Sequence, residues 1–84
     1  MSKHEKLIAR LLEVPANFSW GELVRVLSAF GYTEETLSGS HRRFFNPVTR
    51  RVIAGLVKPH HPNKDVPRGY LRKVIEHLDL KAKR

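Results

Sequence analysis

Leu7, Ile8, Leu11 and Leu12 recur at i, i+1, i+4 and i+5, drawing one apolar stripe along residues 4–14. That period is helical, and Lys6, Arg10 and Glu13 fall outside the stripe. Pro15 disfavours helical geometry at Val14 and ends the element. A second helix is expected from Ser19 to about Phe30, with Trp20, Leu23, Val24 and Leu27 on one face. Its start is strongly marked. Ser19 and Glu22 have capping-box spacing, and Phe18 and Leu23 occupy the positions of a hydrophobic staple. Gly31 is a natural residue just past the C-terminus of such a helix. Trp20 reads as a core anchor.

The period then shortens. Tyr32 to Leu37 reads as a short, polar first strand carrying Glu34 and Glu35, and Ser38-Gly39-Ser40 as a turn. Gly39 permits backbone angles, or a close ligand approach, that other residues resist. His41 to Asn46 reads as a second strand, Asn46-Pro47 as the start of a turn, and Arg51 to Lys58 as a third strand. Their short separation makes strands two and three a hairpin. Gly55, inside the third strand, marks either a bulge or a close approach of other groups.

Pro59 to Lys64 is irregular. Asp65 is a candidate N-cap, followed by Pro67 in a first turn. Leu71, Val74, Ile75 and Leu78 then repeat at i, i+3, i+4 and i+7, the clearest periodic signal in the chain. Gly69, in the first turn of that helix, leaves room for a phosphate at a helix N-terminus. Lys81 to Arg84 is a basic tail. The order helix, helix, three strands, helix describes one α+β domain over 1–84, a three-stranded antiparallel sheet packed on helices. One sheet face is covered and the other is free for a partner.

Composition narrows the function classes. A chain of 84 residues has no room for a cofactor domain beside a substrate domain. It has no cysteine, hence no disulfide framework and no thiolate metal site. No apolar run approaches a membrane span or a secretory signal, so the expected compartment is the cytoplasm. The net charge is +8, and its distribution is uneven. Residues 1–38 carry four Lys/Arg and five Asp/Glu, whereas residues 39–84 carry twelve and three. All the excess positive charge lies from Gly39 onward, which points to a polyanion, nucleic acid first, or to an acidic protein.

Gly39-Ser40-His41-Arg42-Arg43-Phe44-Phe45 opens this basic half. Strand alternation places His41, Arg43 and Phe45 on one face and Arg42 and Phe44 on the other. If the helices cover the Phe44 side, Arg43 faces outward with His41, and a one-residue slip in register reverses this. A histidine, a cation and a ring on one face suit the holding and cleavage of a nucleic-acid backbone.

Gly39-Ser40-His41 at a strand start, followed by a hairpin and then by His61-Pro62-Asn63-Lys64-Asp65-Val66-Pro67-Arg68-Gly69-Tyr70-Leu71-Arg72, resembles the HicA toxin family. The resemblance covers roughly residues 19–80. It implies a double-stranded-RNA-binding-domain-like fold, α-β-β-β-α, in which the helix at 4–14 is an extra N-terminal element. It also implies the toxin of a bacterial toxin–antitoxin pair, an endoribonuclease that cleaves mRNA and stops growth as a stress response. The implied partner is a HicB-type antitoxin that masks the active surface. The family's catalytic histidine falls on His41 and its later loop histidine on His61, while His60 has no counterpart. Arg43 stands where the family often has an apolar residue.

RNA carries its own nucleophile, the 2′-hydroxyl, so cleavage needs a base, an acid and cations but no metal or cofactor. A histidine is mostly neutral at pH 7 and suits the base role. His41 is therefore the expected catalytic residue. Gly39, Ser40, Arg43, Phe45, Lys58, His61, Lys64 and Arg68 are the expected RNA-binding residues. Arg43 and Lys58 can stabilise developing phosphorane charge. His60 or His61 can serve as acid, although nothing in the sequence sets either beside His41. As a plain solvated pair the two histidines need no function. Adjacent histidines rarely face one ion together, which disfavours a metal site from His41, His60 and His61. A non-catalytic RNA-binding module using the same basic face is the alternative.

Overall fold

The computed structural model describes residues 3–61 and 63–80, with side chains from Glu5 onward. Pro62 and the basic stretch 81–84 lie outside the described residues. The elements are α1 (Lys3–Leu12), α2 (Trp20–Ala29), β1 (Thr33–Ser38), β2 (His41–Phe45), β3 (Val52–Val57) and α3 (Arg68–His77). The strands form one antiparallel sheet in the order β1-β2-β3. The arrangement is α+β, with α-β-β-β-α running from α2 to α3 and α1 as the extra N-terminal helix.

α2 forms because its ends are chemically closed. Ser19 Oγ accepts from Glu22 N at 3.2 Å, and Glu22 Oε1 accepts from Ser19 N at 3.0 Å, completing the capping box. At the other end Gly31 adopts φ +88, Gly31 N donates to Ser28 O at 3.0 Å and Tyr32 N to Leu27 O at 2.9 Å. That bond pair is a Schellman motif. The staple residues Phe18 and Leu23 are both fully buried. The buried side of α2 is broader than the sequence stripe. Val26 is fully buried and Val24 only partly, because α2 packs against α1 as well as the sheet.

α1 stops earlier than expected. Glu13 N and Val14 N reach back three residues, to Arg10 O and Leu11 O, tightening the last turn before Pro15. Leu11 is fully buried in the same core as Trp20 and Leu71, so α1 is packed into the domain. The Arg10 guanidinium pairs with Glu22 and lies 5.2 Å from the centre of the Phe18 ring. α1 is thereby joined to the capping box of α2.

Phe44, Ile53 and Leu56 are fully buried and line the covered face of the sheet. Ile53 and Leu56 are three apart, whereas a regular strand repeats every two residues. The difference is a bulge. Arg42 pairs with Leu56 and Phe44 with Ile53, so Arg43 alone faces Ala54 and Gly55. Gly55 takes φ +80, as expected of the glycine of a G1 bulge. The other reading of Gly55 also holds, since Lys73 Nζ stands 2.8 Å from where a Cβ would be and donates to Ala54 O.

β2 and β3 are each shorter than the sequence runs. Asn46 leaves the strand because its side chain is taken by the turn: Oδ1 accepts from Val48 N at 2.9 Å and Thr49 N at 3.2 Å. Its Nδ2 donates to Phe30 O at 3.0 Å, tying the hairpin turn to the end of α2. Asp65 is not the N-cap of α3. Pro67 holds that position with no side-chain bond, and Asp65 instead forms an isolated bridge with Ser19. Trp20 N donates to Lys64 O at 3.1 Å and Val66 N to Phe18 O at 2.9 Å. These main-chain bonds place Asp65 beside the start of α2, three residues before α3 begins.

Candidate functional site

The β1–β2 turn and the end of β3 meet at one corner of the sheet. Gly39, at φ +54, and Ser40 make the turn, and nothing lies within 4 Å of a Cβ placed on Gly39. Just before it, β1 carries an extra residue: Thr36 pairs with Arg42 and Ser38 with His41, leaving Leu37 unpaired and 54% exposed. Lys58 N donates to Ser40 O at 2.7 Å. Residues 40 and 58 are thus a hydrogen-bonded pair, and His41 and Val57, next along, are a non-hydrogen-bonded pair. Side chains of such pairs stand close together on one face.

That face is the uncovered one. Phe44 is buried against the helices, so the alternation sends His41, Arg43 and Phe45 outward, as the register argument required. His41 is exposed, and Val57 beside it is 41% exposed. Phe45 is half-buried, opposite Thr33 and Val52. Arg43 Nε donates to Glu35 Oε1 at 2.6 Å across the strands, so its guanidinium is already committed to one carboxylate. Lys58 is half-buried at the corner, next to Ser40 through the backbone.

The remaining candidates lie along the connection to α3. His60 and His61 are exposed in a bend, and His61 O accepts from Lys64 N at 3.0 Å. Lys64 and Arg68 are exposed, the latter as the first residue of α3. Among the described residues no hydrogen bond joins His41 to either loop histidine. No group of three His, Cys, Asp or Glu among them converges on a metal position. The structure therefore unites Gly39, Ser40, His41 and Lys58 at one corner and carries Arg43 and Phe45 on the adjoining face.

Two residues outside the expected set hold this corner in place. Arg42 turns inward beside Phe44, where its side chain is 15% exposed. Its Nη1 donates to Gly39 O at 2.7 Å and to His41 O at 3.1 Å. Its Nε lies 3.5 Å from Glu34 Oε2, which accepts from the Trp20 indole N–H at 3.1 Å. A chain of contacts runs from the core of α2 to the main chain of His41. The signal was present in the alternation: a charged residue on the core face must find a partner. Glu34 is on that face because it pairs with Phe44.

The model of one protein family, described as the HicA toxin of bacterial toxin–antitoxin systems, matches residues 20–80. The chain belongs to the HicA toxin family. The matched span runs from the first residue of α2 to just beyond α3, and α1 precedes it. No curated protein and no solved structure matches the chain. Membership of the HicA family makes this a toxin-type chain whose partner is an antitoxin. The corner at His41 lies on the uncovered face of the sheet. No helix among the described residues is long and apolar enough to cross a membrane.

Proposed function

We propose that this HicA-family chain is a metal-independent endoribonuclease that cleaves mRNA in the cytoplasm with His41 as general base. The observation that carries the reading is the placement of His41. It stands exposed on the uncovered sheet face, its main chain held by Arg42, with Lys58 at the same corner. An imidazole accepts the 2′-hydroxyl proton, and the 2′-oxygen bonds to the adjacent phosphorus. The bond from phosphorus to the 5′-oxygen breaks, and that oxygen takes a proton from water or from an acid such as His61. The products are a 2′,3′-cyclic phosphate and a free 5′-hydroxyl. General base catalysis of this kind supplies about 10²–10⁴-fold.

Gly39 and Ser40 leave room for the backbone beside His41, and Lys58 offers a cation to the phosphorane. Phe45 offers a ring for base stacking. Lys64, Arg68 and His61 extend positive or titratable groups toward flanking phosphates. Arg43 contributes to binding with only the part of its guanidinium that Glu35 leaves free. A HicB-type antitoxin inhibits by covering the His41 face.

The test is incubation of purified protein with a long mRNA transcript in chelator. Wild type should yield fragments ending in cyclic phosphate, and His41→Ala should yield none while keeping its thermal transition. Intact RNA with salt-dependent binding would identify an RNA-binding module without chemistry. Equal cleavage by both proteins would remove His41 from its role.

A further inference from the structure

Tyr70 is the residue at the His41 corner that the functional reading leaves unused. It belongs to the first turn of α3, and its ring reaches from the helix layer to the free edge of β3. There Tyr70 Oη accepts from Val57 N at 3.2 Å, at the protein surface. Val57 is the strand partner of His41. Because Lys58 N donates to Ser40 O, Val57 N–H, one residue earlier, points away from β2 toward the edge, where the Tyr70 oxygen meets it. The hydroxyl spends its lone pair on Val57 and keeps its proton. Among the described residues no hydrogen bond takes that proton.

The corner thus presents two groups with no protein acceptor among the described residues, the His41 imidazole and the Tyr70 hydroxyl proton, and Lys58 follows Val57 in the chain. A phosphate oxygen is the acceptor that matches such a set, with one cation, one neutral donor and one base around it. A hydroxyl is also fixed in place here. The amide bond from Val57 and the packing of the ring against the core restrict where its proton can point. Shielding of an edge strand is the plainer use of such a contact. Phenylalanine covers the same apolar surface, however, and only the hydroxyl supplies a donor.

We infer that the Tyr70 hydroxyl is a third active-site group, donating to a non-bridging oxygen of the scissile phosphate; this rests on the ribonuclease reading of His41. As negative charge builds on that oxygen the hydrogen bond strengthens, so its main effect falls on the chemical step rather than on RNA binding. No bond to Tyr70 forms or breaks.

The full chain and its Tyr70→Phe variant are compared on a long mRNA transcript, at saturating and limiting RNA. Tyr70→Phe should lower kcat by roughly 10–100-fold with little change in KM, at or below the low end for a lost oxyanion donor because the corner is open to water. A variant that melts lower but cleaves at the wild-type rate makes Tyr70 an edge cap only and overturns the assignment. A second measurement needs no variant. An RNA oligonucleotide carrying 2′-deoxy sugars, which cannot be cleaved, should shift the Val57 amide resonance of wild type together with that of His41. A shift at His41 without one at Val57 overturns the Tyr70 assignment alone. Wild type that neither cleaves RNA nor responds to the oligonucleotide overturns the ribonuclease reading as well.

Discussion

The Trp20 indole N–H donates to Glu34 Oε2 at 3.1 Å. Trp20 is 1% exposed, so this is a buried donor whose partner sits on an edge strand. The same carboxylate oxygen faces Arg42, whose guanidinium holds the carbonyls of Gly39 and His41. One acidic side chain therefore serves the core and the His41 corner together. Trp20 also packs its ring against Phe44, with centroids 5.7 Å apart, which fixes the direction of the indole N–H.

Glu34→Ala should leave the Trp20 N–H without an acceptor and Arg42 without its counter-ion. A buried unsatisfied donor costs about 1–3 kcal/mol. Urea unfolding should shift by that amount, and Glu34→Gln, which keeps an acceptor, should recover a good part of it. Cleavage by Glu34→Ala should fall as well, because Arg42 no longer holds the His41 turn from both sides. Full activity in Glu34→Ala would show that the turn is held without the carboxylate.

The end of α3 repeats the Schellman pattern of α2 with a different residue. Leu80 N donates to Ile75 O at 3.0 Å and Asp79 N to Glu76 O at 3.1 Å, with Asp79 at φ +56. An aspartate tolerates that conformation less well than glycine, and its charge opposes the negative end of the helix dipole. Asp79→Gly should therefore stabilise the protein by a few tenths to about 1 kcal/mol, read as a higher thermal midpoint with cleavage unchanged. A lowered midpoint would mean that chain entropy lost by glycine outweighs both gains.

What the sequence made legible was local. The Ser19–Glu22 capping box, the Gly31 helix end and the outward direction of His41 each depend on residues within a few positions of one another. Gly55 could be read as a bulge or a close approach, and both occur at once. Asp65 has cap chemistry, but its main chain is claimed by Ser19, 46 positions earlier. The Trp20–Glu34–Arg42 chain and the Tyr70–Val57 bond were invisible for the same reason. Both join residues that only the fold brings together. The composition could place positive charge in the second half, but not show that Arg43 shares its charge with Glu35.

The last prediction concerns α1, the helix outside the family match. Burial acts to raise the pKa of Glu22. The hydrogen bond from Ser19 N and the guanidinium of Arg10 outweigh it, and the carboxyl lies below the ordinary value of 4.5. A folded-state value below the unfolded one means that the ionised form favours folding. That contribution is complete above the ordinary value and is lost as pH falls through the depressed one. Glu22→Gln should therefore lose stability relative to wild type at about pH 6, and the gap should narrow toward about pH 3. Arg10→Gln should show a smaller gap with the same pH trend, since Ser19 N still stabilises the carboxylate. Because Glu22 also caps the helix that bridges to Asp65, both variants should loosen the Lys64 segment. Faster amide exchange at Val66, whose N–H bonds to Phe18 O, would register this. A wild-type-to-variant gap that is constant with pH would show that Glu22 acts as a hydrogen-bond acceptor alone and that its charge contributes nothing.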